Sequence, residues 1–223
     1  MDIVDTFFNW SVLQSSLPLL LLGLGTTLSL GVTSIVIGLV AGLFMALLRM
    51  YGPRPLAVLA VAYIDLFRAI PILVLLVVIY YALPFVGLRL SPFAAATSAL
   101  SLVSCAYAAE IFRAGIQAVP RGQFEASQAL GLKYWGMMWY VVLPQAFRLV
   151  IPPITNNCIN VMKDTALASV VAMPDLLKQA TQAQALAANP TPLNVAAVIY
   201  IAFLWPLVAL VSRMERRFAA RRR

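Results

Sequence analysis

The chain contains no histidine, only two cysteines, and charged side chains at only 11% of its 223 positions. Without histidine there is no Ser-His-Asp type of nucleophilic triad and no imidazole-ligated metal. No grouping of Cys, Asp and Glu has ligand spacing either. Cys105 and Cys158 both lie inside apolar runs, where they read as small core residues rather than as a disulfide framework. A phosphate-cradling G-x-x-x-x-G-K-[ST] loop is missing as well: "GLKY" from Gly131 lacks both the upstream glycine and the hydroxyl residue. The chain is therefore expected to bind no metal and no cofactor of its own and to catalyse no covalent step.

What it has instead is apolar surface. Hydrophobic residues make up 62% of the sequence and the mean hydropathy is +0.91, well outside the range of soluble domains. The expectation is an all-α, polytopic membrane protein. A net charge of +8 would point to nucleic acid in a soluble chain, but here the basic residues cluster in short stretches between apolar runs, as juxtamembrane anchors do. No nucleic-acid partner follows. Asp2 and Asp5 stand where a cleavable signal peptide carries Lys or Arg, so the first apolar run is expected to remain in the protein.

Crossing the hydrocarbon core takes about 20 apolar residues per helix. Five runs qualify, at about 18–48, 56–83, 92–111, 147–173 and 195–211, in a single domain covering 1–223. Arg49 and Arg54 follow the first run, Arg113, Arg121, Lys133 and Arg148 lie between the third and fourth, and Arg213, Arg216, Arg217 and "RRR" from Arg221 follow the fifth; the alternate connections carry only Arg89 and Lys178. Basic loops stay inside, so the N-terminus is expected in the periplasm and the C-terminus in the cytoplasm. In the first run Ser34, Gly38, Gly42 and Ala46 recur at spacing four, a stripe of small residues against which another helix can pack closely.

The loop at about 113–145 is too polar to cross. Pro120 can open a short helix carrying Glu125 early, Gly131 can close it, and Leu143 and Pro144 end the piece that follows. Ala126, Ser127 and Ala129 leave that helix with little bulk, so a second protein can approach its backbone, while Leu130 and Leu132 can pack back onto the membrane domain. A short exposed helix of this kind suits docking in another protein's groove, and suits an ordinary amphipathic connector equally well.

Glu125-Ala126-Ser127, Gly131, Val141, Leu143 and Pro144 resemble the EAA loop of bacterial ABC importer permeases, whose pattern is E-A-A, three residues, G, nine residues, I-x-L-P; the departures are Ser127 and Val141. "YIDLFRAIP" from Tyr63, "AYAAEIFRAGIQAVPRGQ" from Ala106, "LPQAFRLVIPP" from Leu143 and "KDTALASVV" from Lys163 are similar to the branch that takes up polar amino acids. The resemblance implies the transmembrane domain of a type I ABC importer in the bacterial inner membrane. It implies a second permease subunit, identical or related, a dimer of ATPases that binds ATP and Mg, and a periplasmic amino-acid-binding protein. The coupling surface it implies is Gly122, Glu125, Ala126, Ala129 and Gly131.

Ionisable residues inside spans are costly, so they face a cavity, pair, or reach an interface. Asp65 and Arg68 are three apart and read as a local pair. Glu110 and Arg113 repeat that spacing near the loop, and the resemblance turns Glu110 toward the transport pathway. Asn156, Asn160, Lys163 and Asp164 fall on one face of a helix that should look into the protein. A zwitterionic amino acid offers a carboxylate and an ammonium, for which Lys163 and Asp164 supply counter-charges, with Thr165 and the Asn160 amide adding neutral groups. The alternative is that the pair merely neutralises itself. An ion-coupled secondary transporter would use the same charges, but it would leave the loop without a role, and no internal repeat accompanies it. A membrane-embedded enzyme is opposed by the missing histidine and by the lack of paired carboxylates in one span.

Overall fold

The structure, a computed structural model, describes residues 6–220, so Asp2 and Asp5 and the final Arg221–Arg223 cluster lie outside the described residues. All regular structure among the described residues is helical. Helix α1 spans Trp10–Tyr51, α2 Arg54–Ala69, α3 Ile72–Val77, α4 Pro92–Gln117, α5 Arg121–Ala129, α6 Tyr134–Met137, α7 Leu143–Asp164, α8 Leu176–Ala187 and α9 Thr191–Ala220. Four of the helical runs are long and apolar enough to cross a membrane, and a fifth crossing arises if the bent pair 54–69 and 72–86 counts as one span.

The second expected run is therefore not a straight helix. Its halves meet at 102°, with Ile70 and Pro71 both extended. Proline has no N–H to donate and its ring pushes the preceding residue out of the α region, so the helix must stop at Ala69. The loop is also more continuous than Leu143 and Pro144 imply. Rather than ending a helix, they follow a π-turn at Met138–Val142 that joins α6 to α7 without a break. The proline falls in the first turn of α7, where a missing N–H costs nothing.

The small-residue stripe of α1 is the main seam of the fold. Ser34, Gly38, Gly42 and Ala46 are all buried, and they face Ser101, Ser104, Cys105, Ala108 and Ala109 of α4, which are buried too. A Cβ on Gly42 would lie 2.6 Å from the Ala108 Cβ and 2.9 Å from the Cys105 carbonyl oxygen. Away from the seam, Leu22, Val36, Val40 and Phe44 are exposed, as lipid-facing residues are. Both cysteines are free thiols, Cys105 buried and Cys158 half-buried.

Helix α8, between the fourth and fifth spans, carries no apolar run of spanning length. Asp175 caps it, its Oδ1 accepting from the Lys178 N–H at 3.0 Å, and the Leu176 N–H donates to Thr27 Oγ1 of α1 at 3.0 Å. The Asp175 side chain is fully buried and its Oδ2 has no hydrogen-bond partner. Burial pushes this carboxyl up from 3.8 to about 6. A carboxyl with a raised folded-state pKa binds more protons folded than unfolded, so its contribution to stability is full below pH 4 and is lost as pH rises through about 6. The loss is about 3 kcal/mol. Asp175→Asn, which keeps the capping oxygen, is expected to flatten the fall in thermal midpoint between pH 4 and pH 7 relative to the unsubstituted protein, as measured by thermal unfolding of both across that range.

Candidate functional site

The polar face of α7 opens on a cavity of about 220 Å³ lined by α3, α4 and α7. Lys163, Asp164, Asn160 and Asn157 line it from α7, Ser104 and Tyr107 from α4, and Ile72, from just past the Pro71 break, with Leu100 and Val103 forms its apolar wall. The volume is below that of drug-sized pockets and suits one small molecule.

Asn156, Asn160 and Lys163 are exposed in the single chain and Asp164 is half-buried. The stripe thus lies along the cavity and the open flank beside it rather than in the core. Lys163 also borders a shallow recess formed with Tyr200, Leu204 and Trp205 of α9. The alternative of a self-neutralising pair is not made as a salt bridge: among the described residues the salt bridges are Arg49–Glu110 and Arg113–Glu110, and neither Lys163 nor Asp164 takes part. Consecutive helical residues diverge by about 100°, so their side chains leave the helix in different directions. An ammonium and a carboxylate that form no salt bridge among the described residues thus border one small cavity.

Thr165 is turned away from that cavity. It is fully buried, its hydroxyl donates to the Met162 carbonyl at 2.7 Å, and its methyl packs toward Gly31 of α1. The reason is helical geometry: at about 100° per residue Thr165, nine positions after Asn156, lies about 180° from it, on the side of α7 opposite the polar face. Asn157, Ser104 and Tyr107 are lining groups that the sequence does not single out. Asn157 is buried, and its amide donates to Ser104 Oγ at 3.1 Å, fixing α7 to α4 beside the cavity. The signal for Ser104 and Tyr107 was the i, i+3 series Ser104, Tyr107, Glu110 on α4.

Glu110 lies one turn beyond Tyr107 and is held elsewhere. Arg49, at the end of α1, donates to its Oε2 at 2.7 Å, and Arg113 Nε donates to the same oxygen at 3.2 Å. A second contact joins Arg113 to Oε1. Glu110 therefore clamps α1 to α4 and does not line the cavity. The expected Asp65–Arg68 pair is likewise unmade among the described residues. The Arg68 guanidinium lies over the Tyr107 ring instead, 5.6 Å from its centroid, an attraction between cation and ring face.

The loop helix α5 presents a second candidate surface. Gly122, Glu125, Ala126, Ala129 and Gly131 are all exposed. Ser127 is buried, its hydroxyl donating to the Gln123 carbonyl at 2.6 Å, so it faces the membrane domain rather than a partner. Leu132 and Phe124 pack on a core of Val119, Met137, Met138, Val142 and Ala146, whereas Leu130 is 81% exposed and does not pack back. Gly131 ends the helix at φ +75°. The Leu132 N–H donates to the Ser127 carbonyl at 3.1 Å and the Gly131 N–H to the Gln128 carbonyl at 2.9 Å, a Schellman closure that needs the left-handed residue.

Residues 35–223 match the protein family described as binding-protein-dependent transport system inner membrane component. The chain is 37% identical over 211 residues to the arginine transport system permease protein ArtQ of Bacillus subtilis (strain 168), covering 94% of this chain and 96% of that one. It is 37% identical over 225 residues to the glutamate/aspartate import permease protein GltK of Escherichia coli O157:H7, covering 95% and 99%. A crystal structure of an amino acid ABC transporter with histidines superposes with a TM-score of 0.86 at 38% identity, covering 92% of this chain and 96% of that one. An inward-facing structure of the MetNI methionine ABC transporter, at 23% identity and TM-score 0.66, shares the fold.

Proposed function

The chain belongs to the family of binding-protein-dependent transport inner membrane components and is a multi-pass inner-membrane permease subunit of an ABC amino acid importer, which works with an ATPase partner and a second permease; from that premise we propose that Lys163 and Asp164 hold the cargo and that α5 is the coupling helix. The observation that carries this is an ammonium and a carboxylate, neither in a salt bridge among the described residues, on one cavity of amino-acid size. Lys163 takes the cargo's α-carboxylate, Asp164 its α-ammonium, and Asn160 offers a neutral amide. The cargo is a polar amino acid, and a periplasmic binding protein delivers it.

The family carries no ATP site of its own, so ATP and Mg bind on the partner ATPase dimer. Its closure draws two loop helices together, and Gly122, Glu125, Ala126, Ala129 and Gly131 form the exposed face it grips. Because α5 is pinned through Phe124 and Leu132 to the base of α4 and α7, a displacement of α5 is passed to the helices that line the cavity. The basic loops place this face in the cytoplasm, with the N-terminus in the periplasm. An ion-coupled secondary transporter has no counterpart among the relatives named above.

The test is ATP-driven uptake of labelled amino acid by the reconstituted complex. Gly131→Arg is expected to abolish cargo-stimulated ATP hydrolysis while the complex stays folded. No atom lies within 4 Å of the added Cβ, and the left-handed backbone alone adds about 1–2 kcal/mol of strain. Undiminished stimulation would overturn the docking role of α5.

A further inference from the structure

The charges around the cavity also bear on which side chain the cargo carries, and the relatives named above leave that open because one is named for a cationic amino acid and one for anionic ones. Resting on the reading of Lys163 and Asp164 as the groups that hold the cargo's own carboxylate and ammonium, we infer that the site rejects amino acids with a positively charged side chain and takes those with a neutral polar one.

Asp164 is the sole carboxylate lining the cavity among the described residues, and the cargo's α-ammonium uses it. The next carboxylate along α4, Glu110, is saturated by Arg49 and Arg113. Asp65, a turn before Arg68 on α2, is exposed and lines no part of the cavity. A basic side chain thus finds no free counter-charge. It meets the opposite: Arg68 sits on the ring of Tyr107, a lining residue, and forms no salt bridge among the described residues. Three guanidinium groups, Arg49, Arg68 and Arg113, therefore gather around the single carboxylate of Glu110 at the Tyr107 end. Like charges brought to one end of a site repel. The remaining lining offers what a neutral polar side chain needs, with apolar contact from Ile72, Leu100 and Val103 and amide groups from Asn157 and Asn160.

Equilibrium binding of radiolabelled L-glutamine to the purified permease–ATPase complex in lipid nanodiscs, without any periplasmic binding protein, isolates the selectivity of this chain. Unlabelled glutamine is expected to displace the label at a concentration at least about tenfold below that needed for L-arginine or L-lysine. Arg68→Gln is expected to move arginine's competition closer to glutamine's by several-fold. If arginine competes as well as glutamine while Asp164→Ala removes the binding of both, the side-chain inference is overturned and the cargo-holding role of Lys163 and Asp164 stands. If glutamine binding survives Asp164→Ala, or the complex binds no amino acid, that role is overturned and the inference falls with it.

Discussion

Gly42→Leu is expected to prevent accumulation of folded protein, while Gly25→Leu on the same helix is tolerated. At Gly42 the new Cβ meets the Ala108 Cβ at 2.6 Å, the Cys105 carbonyl oxygen at 2.9 Å and the Ala109 nitrogen at 3.2 Å. Two of these three are backbone atoms in the middle of α4, which cannot yield as a flexible side-chain tip does. The helices must separate along the whole seam, and the contacts of Gly38 with Ser104 and of Ser34 with Ser101 go with it. Overpacking of this kind costs ~3 kcal/mol or more, a shift of more than about a hundredfold in the folded fraction. At Gly25 no atom lies within 4 Å of an added Cβ, and the residue is exposed. The yield of monodisperse protein after extraction, compared between the two variants, checks the prediction; equal yields would mean the α1–α4 seam does not hold the domain together.

Asp164→Ala is expected to lower uptake by roughly 10- to 100-fold while leaving assembly with the ATPase intact. A hydrogen bond to a charged group contributes about 1.5–3 kcal/mol, and Asp164 is the one cavity carboxylate available to an ammonium. It makes no protein contact whose loss would unfold the chain, since neither a salt bridge nor a side-chain hydrogen bond ties it to another helix among the described residues. Initial uptake rates in proteoliposomes, set against the ATPase retained on purification, separate the two effects. Normal uptake kinetics would show that cargo passes without this carboxylate. Lys163→Ala should produce a loss of similar size, because the zwitterion presents both charges.

Apolar periodicity was enough to mark the long helices and the loop helix, because both follow from local rules: long apolar runs wind into helices, and Pro120 and Gly131 bracket a short one. The α1 stripe was legible for the same reason, since small residues at spacing four have one common use between membrane helices. What failed were pairings. Asp65 and Arg68 look like partners along the chain, but partners are chosen by what packs opposite. Arg68 finds the Tyr107 ring and Glu110 finds Arg49, 61 positions away. Thr165 adjoins the stripe in the chain but not on the helix: at about 100° per residue it lies about 180° from Asn156 and so packs inward. The right-angle break at Pro71 was marked by proline, yet the apolar run continues through it and conceals the turn.

The exposure of Asn156, Asn160 and Lys163 on the flank of α7 bears on how the protein is made. A lone copy released into lipid would hold an ammonium and two amides against acyl chains, and a lysine at mid-bilayer alone costs about 2.5–3.5 kcal/mol. A second permease seated on that flank would remove the cost by covering it and letting water share it. On the proposed reading, Asn160 and Lys163 would both hold the cargo and mark an orphaned subunit as unfinished, tying pairing and survival in the membrane to the transport path.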